Sequence, residues 1–148
     1  MAALSPQRRG SLTDAELIAK KLALIETYVQ ELRTLARPDL LASDVREERF
    51  VEHTLQLAVQ AALDVASHVV SDDRLGEPRT NQELFELLAR HAWIDPRLAN
   101  TLRAAVGFRN VLVHGYANVD VAVVRDVLEN HLDDLLAFVA AIRARLAS

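Results

Sequence analysis

The chain has 148 residues, with 17 Lys and Arg against 21 Asp and Glu, a formal net charge of −4. That length suits a single domain with its own core, and the mild acidity argues against a protein that coats nucleic acid without choosing a site. There is no Cys, which excludes disulfides, thiolate metal sites and Cys nucleophiles, and 24 Leu and 23 Ala beside only 4 Gly and 4 Pro favour long helices over a many-turned β-sandwich.

Residues 1–12, with Pro6, Gly10 and little periodicity, read as a flexible N-terminal arm, and residues 13–148 as one helical domain. Thr13-Asp14-Ala15-Glu16 has the capping-box pattern, in which polar side chains satisfy the first free amides of a helix. The helix that follows carries Leu17, Ile18, Leu22, Ile25, Val29, Leu32 and Leu35 at spacings of three and four, with Tyr28 on the same stripe, and Pro38 stops it. Ser43 is the expected N-cap of a longer second helix to about Ser71, whose alanines let a neighbour approach closely. Asp, Gly and Pro mark a loop over 72–79.

Thr80-Asn81-Gln82-Glu83 is a second capping box, opening a short helix to about His91, after which Trp93 and Ile94 are expected to pack. Asp95-Pro96 is an N-cap followed by Pro at the first helical position, and this helix should run to His114 and stop at Gly115. The valines between Val119 and Val127 also fit a strand. A helix capped by Asp120 is preferred, because Leu128, Leu132, Leu135, Val139 and Ile142 continue a helical spacing. The expected fold is therefore all-α, an up-and-down four-helix bundle with one extra short helix. The longest run without Lys, Arg, Asp or Glu is 11 residues, His53 to Leu63, too short to span a bilayer. Arg8 and Arg9 interrupt any signal-peptide apolar region, so a cytoplasmic location is expected.

Chemistry concentrates in one stretch. Pro96 to Val119 holds no Asp or Glu over 24 residues but contains Arg97, Arg103, Arg109 and His114. Asn110 and His114 are four apart and share a helix face, whereas Arg109 and His114 are offset by about 140° on a helix. Both reach one cleft if it is broad, if the helix end bends, or if a second subunit completes it. Arg supplies a permanently charged planar fork for phosphate oxygens, and His carries a proton near neutral pH. Together they suit RNA phosphodiester cleavage without a metal. The same spacing also suits an Arg in a surface ion pair and a His at a helix C-terminus beside Gly115.

Ala105-Val106-Gly107-Phe108-Arg109-Asn110-Val111-Leu112-Val113-His114-Gly115-Tyr116 resembles the signature of the HepT-like toxins of the HEPN superfamily, an Arg, four residues, a His, one residue and a Tyr. Leu55 to His68 resembles the second helix of that family, and the likeness extends over roughly residues 14–146. Ser67 departs from it, standing where members often carry Asn before the second-helix histidine. The resemblance implies a four-helix-bundle endoribonuclease acting as a homodimer, with Arg109 and His114 catalytic and two motifs facing across a shared cleft. It further implies a partner, a minimal nucleotidyltransferase antitoxin that transfers AMP from ATP to Tyr116, and it suggests that Asp64 lies near the cleft.

Asn110 and Asp64 are the expected supporting residues. Asp64 and His68, four apart, are expected to pair by hydrogen bond rather than to hold a metal. His53, His91 and His131 read as surface or loop residues, and Asp133-Asp134 as a solvated helix face. No Gly-rich phosphate loop is present, so no cofactor is expected and the chain should not itself use ATP. A second reading, from another class, is a non-catalytic helical module that partners a nucleotidyltransferase. The Arg109/His114 pair argues against it, since a scaffold has no evident need of that pair.

Overall fold

The computed structural model describes residues 6–115 and 119–148, with side chains from residue 14 onward in the first helix. Every regular element among the described residues is a helix, with no strand among them. Six α-helices run α1 (Pro6–Leu35), α2 (Val45–Asp72), α3 (Asn81–Arg90), α4 (Pro96–His114), α5 (Val121–Asn130) and α6 (Leu132–Ala147), and a 3-10 turn at Pro38–Leu40 joins α1 to α2. The long helices α1, α2, α4 and α6 form the bundle. α3 lies against α2 and α4, and α5 against α2 and α6.

The sequence signals place most boundaries. Thr80 accepts from the Glu83 amide at the start of α3, and the Glu83 carboxylate accepts in return from the Arg79 amide, one residue ahead of the usual capping box. Asp95 caps α4 through the Arg97 amide at 2.7 Å, and Asp120 caps α5 through the Ala122 amide at 2.9 Å. The valine-rich segment is thus helix and not strand.

Three boundaries differ from expectation. α1 begins at Pro6, ahead of the Thr13 capping box. Proline fits the first turn, whose amides have no helical partner, and Gln7, Arg8 and Arg9 are good helix formers. Asp44, not Ser43, caps α2 and accepts from the Arg46 amide at 2.9 Å, because the 3-10 turn carries the chain one residue further before it extends. The final helix is two helices, broken at His131. The His131 ring bridges Asp126 of α5 at 3.2 Å and Asp134 of α6 at 3.1 Å, while Leu128 and Leu132 are buried on either side of the corner. The break preserves the apolar spacing, which is why periodicity alone reads through it.

The core is a single apolar cluster along the bundle axis. α1 buries Ile18, Leu22, Ile25, Val29 and Leu32, and α2 buries Val51, Leu55, Val65 and Val69 with Ala58, Ala62 and Ala66 between them. Phe85 of α3 and Phe138 of α6 meet edge to face with centroids 5.8 Å apart and fasten the short helix to the bundle. Trp93 and Ile94 are buried as expected, and the Arg145 guanidinium stands 5.2 Å over the Trp93 ring. Among the described residues no helix is long and apolar enough to cross a membrane.

Truncating Phe138 to Ala removes a fully buried ring and its partner for Phe85. A loss of about 3–5 kcal/mol is expected, read as a lower midpoint at unchanged slope in urea unfolding.

Candidate active site

Arg109 sits in the C-terminal half of α4, half-buried against α2. Its guanidinium donates from Nη2 to Gln60 Oε1 at 2.5 Å and from Nη1 to Asn110 Oδ1 at 3.1 Å. Gln60 in turn donates from Nε2 to Asp64 Oδ1 at 2.9 Å, and Asp64 Oδ2 accepts from Lys21 Nζ at 3.1 Å. A polar line therefore runs from α1 across α2 to α4, and each link holds the next in place. The Asp64–His68 pair expected from the spacing is not formed, because both Asp64 oxygens are taken by Lys21 and Gln60.

The partners of Arg109 decide what it can do. Among the described residues both are neutral amide oxygens, and its Nε is buried without a partner. Arg103, one of its neighbours in the acid-free stretch, is spent on Glu86 at 3.1 Å. Arg109 is thus no surface ion pair. It is oriented by dipoles while its full positive charge stays uncompensated, an arrangement suited to an incoming anion.

His114 occupies the last turn of α4 and is exposed. α4 is helical without a break from Pro96 to His114, so its angular offset from Arg109 is kept and no bend of the helix end relieves it. Gly115 follows with its amide donating to the Val111 carbonyl at 2.8 Å, and a Cβ on Gly115 would stand 3.0 Å from that same oxygen. A side chain at position 115 would therefore crowd the Val111 carbonyl, and glycine avoids that contact. Tyr116, the expected modification site, lies outside the described residues. Among the described residues no group of three or more His, Cys, Asp or Glu side chains is arranged to hold a metal ion.

Beside this site the α2–α4 surface opens into a cleft of about 570 Å³, lined by Val45, Glu48, Arg49, Glu52, His53 and Gln56 of α2 and by Leu112 of α4. Burial above all, and then the neighbouring Glu48, pushes the Glu52 carboxyl up to about 7, with Arg49 only partly opposing them. Sequence reasoning missed both Gln60 and Glu52. The signal for Gln60 was its place one turn before Asp64 on α2; for Glu52 it was the Glu48-Glu52 pair at a spacing of four.

The folded chain holds the Glu52 proton more tightly than the unfolded chain, so this group lowers stability as pH rises from about 4.5 to about 7. Glu52→Gln removes that dependence. In thermal melts the variant should gain on the parent steadily between about pH 5 and about pH 8, and a pH-independent difference would contradict the burial of this carboxyl.

Comparison with known proteins is consistent with this geometry. The sequence pattern of a family described as ribonuclease HepT-like matches residues 18–142. The mRNA nuclease HepT of Shewanella oneidensis is 28% identical over 130 residues, covering 87% of this chain and 98% of that protein. The tRNA nuclease HepT of Aphanizomenon flos-aquae is 34% identical over 107 residues, covering 70% and 72% respectively. Among solved structures, the tri-AMPylated Shewanella oneidensis HEPN toxin in complex with its MNT antitoxin has a TM-score of 0.81 at 29% identity, over 86% of this chain and 97% of that one.

Proposed function

The chain belongs to the HepT-like ribonuclease family, and from that premise we propose that it is the toxin of a toxin–antitoxin pair, an endoribonuclease whose Arg109 and His114 cleave RNA without a metal. The observation that carries the catalytic assignment is the hold on Arg109: two neutral amide oxygens orient it and leave its charge for substrate phosphate. The 2′-hydroxyl oxygen attacks phosphorus, the bond to the 5′-oxygen breaks, one proton leaves the 2′-hydroxyl and one arrives on the 5′-oxygen. His114 carries a proton in this exchange, and Arg109 stabilises the charge that builds on the phosphoryl oxygens. Asn110 and Gln60 position Arg109, with Asp64 holding Gln60.

The offset between Arg109 and His114 favours a homodimer in which each motif faces its counterpart across one cleft. The Aphanizomenon and Shewanella relatives are named for cleaving tRNA and mRNA, which supports RNA as the substrate class here. A minimal nucleotidyltransferase is the proposed antitoxin, by likeness to the complexed Shewanella toxin. It would join the Tyr116 phenol oxygen to the α-phosphorus of ATP, with pyrophosphate leaving and the phenolic proton lost. A nucleotide two residues from His114 places bulk and negative charge where RNA phosphate must sit. With its site blocked in this way the toxin is silent.

Expression of the parent chain alone should arrest growth and fragment cellular RNA, and Arg109→Ala or His114→Ala should each lower cleavage by about 10²–10⁴-fold. Mixing the two inactive variants restores measurable cleavage if Arg109 and His114 of different subunits make one site, and restores none if they act within one chain. Well-folded parent protein that leaves RNA intact would instead favour the non-catalytic module. Co-expression with a nucleotidyltransferase should add the mass of AMP to the intact protein, an increment that Tyr116→Phe abolishes.

A further inference from the structure

The cleft beside Arg109 has no part in the chemistry just described. α2 and α4 run antiparallel there: Gln60 meets Arg109, and one turn further along each helix Gln56 lies in the cleft with Leu112. The cleft thus begins next to the Arg109 anchor and continues toward the end of α4 that carries His114. Its volume of about 570 Å³ lies within the range of small-ligand sites. Leu112 gives it an apolar wall, and Arg49, His53 and Gln56 give it polar edges.

One atom in it lacks a partner. Glu52 Oε2 is buried, and no donor among the described residues reaches it. The neighbouring Glu48 carboxyl helps keep Glu52 protonated rather than offering it a compensating charge. A ligand offering two adjacent N–H groups would satisfy both Glu52 oxygens at once. Of the four RNA bases, only guanine presents such an edge, through N1–H and the 2-amino group. Adenine and cytosine place an acceptor beside their amino group, and uracil flanks its single N–H with two carbonyls.

We propose that this cleft is a nucleobase subsite of the RNA-binding surface, and that Glu52 selects guanine in it. The assignment rests on the ribonuclease reading above and deepens it: Arg109 and His114 act on the phosphodiester, while the cleft chooses which nucleotide stands beside it. Single-stranded RNA offers this edge freely, because its bases are unpaired. Guanine binding needs Glu52 ionised, so the Glu52 proton leaves as the base enters, and selection strengthens as pH rises past neutrality. The charged and titratable groups that line the cleft with Glu52 are Glu48, Arg49 and His53, all of α2; α4 contributes only Leu112 to it.

The test compares kcat/KM on matched single-stranded oligonucleotides that differ in one base, guanine or adenine, at about pH 8. The parent chain should prefer guanine. Glu52→Gln, whose amide offers one donor and one acceptor, should lower the guanine-to-adenine ratio by about 5–150-fold, the worth of one bidentate base contact. Cleavage without guanine preference, or a ratio unchanged in Glu52→Gln, overturns the subsite and leaves the ribonuclease reading intact. Calorimetric titration with GMP and AMP tests the subsite without cleavage. Tighter binding of GMP, lost in Glu52→Gln, supports it even if no RNA is cut, and equal binding of the two overturns it.

Discussion

The site depends on how one arginine is held. Arg109 donates to Gln60 and Asn110 and to no carboxylate among the described residues. A carboxylate at position 60 would grip the guanidinium more firmly and cancel its charge. The neutral amide gives a weaker hold, and the rest of the line compensates: Asp64 fixes the Gln60 amide from behind, and Lys21 fixes Asp64 from α1. Negative charge is thus present near the site but two links away from it, which positions Arg109 without quenching it.

The bundle exists to bring these links together. Lys21, Gln60 and Arg109 lie on three different helices, and each helix buries an apolar stripe on the core side. The edge-to-face contact of Phe85 with Phe138 ties the short α3 to α6. The α3–α4 link through Glu86 then occupies Arg103, so that of the two arginines on this part of α4 only Arg109 keeps its charge for a ligand.

Much of this was legible in the sequence. The helix stripes, Asp95-Pro96 and Asp120 announce the elements, because local hydrogen bonds and side-chain period are local properties. Arg109, Asn110 and His114 could be singled out because one short stretch carries them. What was not legible depends on which helix faces which. Asp64 faces Gln60 and Lys21 rather than His68, and Gln60 has no spacing that ties it to a residue 49 positions away. The corner at His131 was hidden for a related reason, since Leu128 and Leu132 keep a helical spacing across a break that the ring of His131 stabilises. Glu52 becomes unusual only when packing removes its water.

The amide clamp also has a chemical lifetime. Glutamine and glutamate are nearly the same shape, and hydrolysis of the Gln60 side chain would replace one NH₂ by an oxygen without disturbing a single apolar contact. The new carboxylate would lie within reach of Arg109, close an ion pair with it, and stand against Asp64, which has until then accepted a hydrogen bond from that position. Ageing at a single atom would thus convert a charge that is offered outward into one that is satisfied inward, leaving the fold intact and the arginine occupied.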